Sequence, residues 1–264
     1  MPYFAEHGFL AISISVRGWG SSLIDDDDPN LLSYEHLAAD VMAVLDACSV
    51  PRTAIVGHSI GGFFVTRMAV EAPHRLTHAI MSSTFYGLAD EWISRYIEAG
   101  PMGCVARHEV AAEIKAQLPS GSSGSTRHSR GCKDGRAPGS ADNFSEEFRR
   151  EKSAIAWLYD SMNDANAQVR RLELKSRFKL LQATGAVSPS TLRSAYHGPL
   201  CFLITESDAA IHWECVEHVA LQCKDLDNGR TIVHCFADPN LKHAPHIEAA
   251  EEYNRVLLDF LTSP

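Results

Sequence analysis

Residues 54–62 read A-I-V-G-H-S-I-G-G, placing Ser59 between glycine steps directly after a β-branched apolar run. A serine hydroxyl is a poor nucleophile until a base takes its proton and a hydrogen-bond donor receives the oxyanion. A sharp turn from strand to helix supplies the geometry. It lifts Ser59 Oγ above a sheet and aims the amide of Ile60, at a helix N-terminus, at the developing negative charge. Gly57 and Gly61 suit such a turn, because it strains the serine backbone and brings helix and strand too close for side chains. The plainer reading is an ordinary strand-to-helix turn with a buried serine. A strand before it, a helix after it and a further glycine at Gly62 favour the nucleophile turn.

The elements around it must be short strands alternating with helices. Residues 9–16, F-L-A-I-S-I-S-V, read as a buried strand ending at the glycine turn R-G-W-G-S-S. Residues 33–48 carry Leu37, Val41, Val44 and Leu45 at helical spacing behind a serine N-cap. A strand over 52–57 leads into the serine turn and a helix to Ala72, stopped by Pro73. Residues 77–83 form the next strand, and then the alternation lapses. Two stretches, 88–118 and 144–182, read as helical, with a Gly/Ser-rich and mobile segment near 119–143 between them. Strands over 199–205 and 231–237 flank a helix near 211–223. A last helix after Pro245 presents Ile247, Ala250, Val256, Leu257, Phe260 and Leu261 on one apolar face. This order implies an α/β fold with a mostly parallel sheet and flanking helices.

Composition narrows the function. The 264 residues are 45% apolar and 22% charged, enough for a sizeable core in one domain, with or without an insertion. A formal charge of −9 without a basic block argues against nucleic acid as a partner. Seven cysteines, an odd number with no C-x-x-C pair, read as reduced thiols. No signal peptide and no membrane span are expected, so the reading is a soluble, cytoplasmic protein. The acidic run at 25–28 reads as a solvated loop rather than a calcium site, since no EF-hand-like spacing follows it. No cofactor or metal is implied, because no histidine pair or cysteine cluster has ligand spacing.

Several stretches resemble the α/β-hydrolase family. S-V-R-G-W-G-S-S (15–22) is similar to its D-x-R-G-x-G-x-S turn after the fourth strand, with Ser15 where aspartate is usual. S-Y-E-H-L-A-A-D-V-M-A-V-L-D (33–46) resembles the helix before the nucleophile elbow, and V-G-H-S-I-G-G is the elbow. The resemblance covers 3–86 and 197–262. It implies a hydrolase core formed by residues 1–86 and 197–264, with 87–196 inserted as a helical cap. The family's chain order of serine, acid and histidine then implies Asp208 as the acid, in E-S-D after strand 199–205, with Glu206 and Asp90 as rivals. It implies His243 as the base, in N-L-K-H-A-P-H-I-E, where Lys242 replaces a glycine. His246 is expected on the surface of the following helix, His234 in a strand, and His58 as a packed elbow residue. Trp92, Trp157 and Tyr159 are candidates to line an apolar pocket over Ser59, although helix packing explains them equally well.

The resemblance implies a serine hydrolase, carboxylesterase-like, cleaving an ester, lactone or related acyl bond of a small apolar substrate. The alternative is a non-catalytic binding or receptor protein on the same fold, or an inactive truncated hydrolase. The family carries three strands before the one read at 9–16, and an H-G segment after the third gives a second oxyanion amide. His7-Gly8 is not that segment; it reads as a helix-ending glycine. Strands 9–16 and 52–57 are therefore expected either to pair directly or to leave unpaired backbone between them. Loss of one oxyanion donor typically costs about 3–4 kcal/mol in the transition state, so weak turnover is expected. Substrate identity and oligomeric state stay open.

Overall fold

The computed structural model describes residues 2–17, 22, 33–100, 104–120, 143–167, 182, 185–208, 210–227 and 230–263. The acidic run at 25–28, Gly18–Gly20 of the glycine turn, Cys132, most of the Gly/Ser-rich segment and residues 168–181 lie outside them.

Four strands form one parallel sheet: β1 (Thr53–His58), β2 (Leu76–Ser82), β3 (Leu200–Ile204) and β4 (Thr231–Cys235), in the order β1-β2-β3-β4. The central strand β3, L-C-F-L-I, is buried at every position, as a strand covered on both faces must be. Alternation along it sorts the two layers. Leu200, Phe202 and Ile204 join the larger core cluster, whereas Cys201 and Leu203 turn to the smaller one on the opposite face.

Helices cover both faces. After α1 (Pro2–Glu6) come α2 (Tyr34–Ala47) and α3 (Gly62–Glu71), which pack on each other. Ser33 caps α2, its Oγ accepting the His36 amide at 3.4 Å. Helix α3 stops at Ala72, before Pro73, as expected. Farther on lie α4 (Glu91–Glu98), α5 (Val105–Gln117), α6 (Glu146–Glu151), α7 (Ser153–Ala167), α8 (Pro189–Ala195) and α9 (Trp213–Asp225). The larger cluster takes Leu37 and Val41 from α2, Phe63 and Met68 from α3, and Val216 and Val219 from α9. The chain ends with α10 (Pro245–Glu248) and α11 (Ala250–Thr262), broken at Ala249. Helix α11 buries Tyr253, Leu257 and Phe260 on the second face, where Phe4 of α1 joins them. Ile247 leaves the expected common stripe and packs in a third cluster with Phe144 and Ala244.

The helical middle leaves and returns at one place. Leu88 bridges Val187, and the Ala89 and Val187 amides donate to Val187 O and Gly87 O at 3.0 and 2.9 Å. Within it, Ile93 and Tyr96 of α4 and Ala111 and Ile114 of α5 belong to the larger core. Phe144, Phe148, Ala156 and Tyr159 instead pack around Ala244 and Ile247.

The expected strand over 9–16 is not present. The segment follows α1 and Gly8, whose φ of 86° ends that helix as anticipated, but it has no ladder partner among the described residues. Ile12, Ile14 and Val16 still pack against the larger core, so the apolar alternation fixes burial while pairing is missing. Direct pairing with β1 does not occur, and β1 stands at the edge of the described sheet with Val56 44% exposed. Arg17 ties the end of this segment to α2 by a two-pronged ion pair with Asp40, at 2.6 and 2.5 Å. None of the described helices is long and apolar enough to cross a membrane, and no disulfide joins the six described cysteines.

Candidate active site

Strand β1 ends at His58, and the chain turns through a single 3-10 turn, Ser59–Gly61, into α3. Ser59 has a φ of 52°, a left-handed conformation that costs a side-chain-bearing residue roughly 1–2 kcal/mol and persists only where its surroundings hold it. Close packing forces the turn. A Cβ added to Gly57 would lie against Gly61 O and 2.5 Å from Val65 Cγ2. The second glycine that the turn requires is Gly62, not Gly61 as expected. A Cβ there would meet Thr84 Oγ1 at 2.7 Å and Tyr86 O at 3.0 Å, whereas Gly61 has open space.

Asp208 lies in the turn after β3 and is 2% exposed. Its Oδ1 accepts the amides of Ala210 and Ile211 at 2.8 and 2.9 Å, which locks the carboxylate. Its Oδ2 lies 2.8 Å from His243 Nδ1. An ionised carboxylate only accepts, so the imidazole proton sits on Nδ1 and the lone pair on Nε2. His243 comes from the loop between β4 and α10 and is 5% exposed. The parallel sheet brings the two together, since β3 and β4 are neighbours and both loops leave their C-terminal ends.

The rival acids are engaged elsewhere. Glu206 faces Cys235, whose Sγ lies 3.8 Å from its Oε1. Asp90 caps α4, accepting the Ile93 amide at 2.9 Å, and meets His218 Nε2 at 2.7 Å and Gln222 Nε2 at 2.6 Å. Burial alone would raise its pKa. The hydrogen bonds from His218, Ile93 and Gln222 outweigh that and bring it down to about 2.

The remaining histidines part from the sequence reading at one point. His58 is a packed elbow residue, as expected. Its Nε2 lies 2.6 Å from the main-chain oxygen of His243, and the two rings are 4.7 Å apart. His234 lies in β4, 4.0 Å from Glu252. His246 does start α10, but it is not a surface residue. Its ring is 4.4 Å from that of His58, and its Nδ1 is buried without a hydrogen-bond partner. Burial, and then the neighbouring His243, lower its pKa to about 4. The H-x-x-H spacing of 243–246 was the sequence signal that two imidazoles stand close together, but only the approach of their loop to β1 brings His58 against both.

Ser59 Oγ and His243 Nε2 share no hydrogen bond among the described residues; elbow and histidine loop touch through His58. Such bonds are often loose until substrate arrives. Of the aromatic candidates, Trp157 is 69% exposed. Trp92 carries the Arg95 guanidinium 4.8 Å from its ring centre, and the Tyr159 hydroxyl accepts from Asn143 Nδ2 at 2.9 Å. Among the described residues no group of three or more His, Cys, Asp or Glu side chains is arranged to hold a metal ion.

Residues 1–98 match the family model of the alpha/beta hydrolase fold. Over 259 residues the chain is 25% identical to a protein of Variovorax paradoxus named as a carbamate hydrolase, RutD, a match spanning 97% of this chain and 82% of that one. Among solved structures it resembles the esterase RhEst1 from a Rhodococcus species (TM-score 0.59, 15% identity, 94% of this chain and 78% of that chain). It is also similar to an enol-lactonase from Burkholderia xenovorans (TM-score 0.57, 15% identity, 94% and 78%). The sequence match over residues 1–98 and the shared sheet architecture agree: this chain has the α/β-hydrolase fold, and hydrolases are among the proteins it resembles.

Proposed function

We propose that the chain is a serine hydrolase that cleaves an ester, lactone or related acyl bond of a small, largely apolar substrate. The observation that carries the reading is the 2.8 Å contact between His243 Nδ1 and a locked Asp208, which leaves Nε2 as a base beside the elbow that presents Ser59. Carbamate, ester and lactone hydrolysis, named for the relatives, all begin with attack on an acyl carbon.

The chemistry is nucleophilic acyl transfer. His243 Nε2 takes the Ser59 proton while Oγ bonds to the acyl carbon and the carbonyl electrons move to oxygen. The Ile60 amide, at the start of the turn into α3, donates to that oxyanion. The oxyanion collapses, the leaving group departs with the proton held by His243, and an acyl-serine remains. Water, deprotonated by His243, then attacks the acyl-serine and releases the acid with Ser59 restored. Asp208 holds the Nδ1–H tautomer and stabilises the imidazolium. The helical middle serves as a cap, and its α6–α7 portion packs around Ala244 and Ile247 beside the histidine loop.

A fluorophosphonate probe tests this. Labelling at Ser59 that disappears in Ser59→Ala and His243→Ala supports the activated nucleophile. A folded wild-type protein that resists the probe refutes it and leaves the binding-protein reading.

A further inference from the structure

We infer that His58 is a positioning residue for His243, a role that rests on the hydrolase reading above and that the elbow motif does not itself assign. His58 Nε2 lies 2.6 Å from the main-chain oxygen of His243. A carbonyl oxygen only accepts, so His58 carries its proton on Nε2 and donates it. The contact joins residues 185 positions apart, one immediately before Ser59 and the other the base itself. It ties the elbow to the loop that carries the base.

The tie acts on the backbone of His243, while Asp208 acts on its ring. Together they fix both ends of the residue: the carboxylate sets the rotation of the imidazole, and the His58 hydrogen bond sets the position of the Cα from which it swings. A misplacement of about 1 Å at a reacting group can cost about a hundredfold in rate. The charge of His58 matters as well. Its ring stands 4.7 Å from His243 and 4.4 Å from His246. Burial first, then His246 and His243, lower its pKa well below the usual histidine value. A neutral His58 can donate to the carbonyl throughout the cycle without opposing the positive charge that forms on His243.

Three variants and one spectrum test this. In His58→Leu, fluorophosphonate labelling of Ser59 and kcat for p-nitrophenyl acetate are expected to fall about tenfold or more, with KM changed less than about twofold. His58→Gln places an amide Nε2–H near the same carbonyl and is expected to recover most of that loss. His58→Asn, one methylene shorter, is not. Thermal melting checks that each variant is folded, so that a collapsed Leu variant is not mistaken for a positioning effect; the Gln and Asn pair then decides. Wild-type activity in folded His58→Leu, or equal loss in the Gln and Asn variants, overturns the inference. Nitrogen NMR of the rings reads the tie without activity: a neutral Nε2–H tautomer of His58 between pH 6 and 8 supports it, and an Nδ1–H tautomer or a charged ring overturns it. Should the wild-type protein resist the probe while the spectrum shows neutral Nε2–H, the hydrolase reading fails and the tie itself stands.

Discussion

Two carboxylate–imidazole pairs in this molecule share nearly the same contact distance, 2.8 Å for Asp208–His243 and 2.7 Å for Asp90–His218. Their surroundings separate them. Asp208 is fixed by two amides of its own turn, and its histidine bonds through Nδ1, so the far nitrogen projects away from the acid. Asp90 is fixed as a helix cap, and its histidine bonds through Nε2, where Gln222 also crowds at 2.8 Å. The first arrangement leaves a lone pair beside a serine turn. The second spends the distal nitrogen on holding α4 to α9. Distance between acid and imidazole is therefore a poor guide to chemistry; which nitrogen is used decides.

Replacing members of the first pair should give the largest effects. His243→Ala, like Ser59→Ala, is expected to lower kcat by about 10⁵-fold or more, measured on p-nitrophenyl acetate. Asp208→Asn follows, with a loss of about 10⁴-fold as the imidazole tautomer is no longer enforced, while the melting temperature moves little. If Asp208→Asn keeps nearly full activity, the contrast drawn between the pairs is wrong.

The second pair should respond in the opposite way. Asp90→Ala removes a cap and two side-chain partners, so stability is expected to drop by about 2 kcal/mol in urea unfolding, with kcat within about twofold of wild type. Its pKa is lowered from the ordinary carboxylate value to about 2, so its ionic contribution is present above about pH 4 and is lost as pH falls toward 2. With 21% of its side chain exposed, that contribution is about 1 kcal/mol after screening. An acid-unfolding midpoint that is unchanged in Asp90→Ala would contradict this.

Glu214 sharpens the contrast, as a carboxylate with no imidazole partner. It sits in the first turn of α9, and its Oε2 is buried without a hydrogen bond. Burial is the main cause that raises its pKa to about 7. The sign is reversed from Asp90: the folded state prefers the protonated acid, so stability is full below about pH 4.5 and declines as pH rises through 7. Glu214→Gln is expected to remove that decline and to stabilise the protein by roughly 1–2 kcal/mol at pH 8, with little change at pH 4. A melting curve that shifts equally at both pH values would exclude it.

How much of this was legible before folding varies by residue. The serine turn was readable because its constraint is local, a strand, a sharp bend and a helix within ten residues. Asp208 and His243 could be named as candidates from the resemblance, and the structure places each in the loop after its own strand. Gly61 was misjudged because its neighbour Gly62 faces Thr84 and Tyr86, residues that only the packing of α3 against the β2 loop brings near. His246 was misjudged for a similar reason: helix position predicts a face, and the face turned toward His58 and not toward solvent.

The sequence by itself determined which segments are buried and where the chain turns, since apolar periodicity and glycine act over a few residues. It determined the burial of Ile12, Ile14 and Val16 as well, but not their place in a sheet. A strand needs a second backbone to complete its hydrogen bonds, and that partner is chosen by distant parts of the chain. The same holds for the site. Ser59, Asp208 and His243 could be named as candidates along the chain, whereas the His58 contact and the nitrogen that each histidine uses were decided only when separate loops met at the C-terminal end of the sheet.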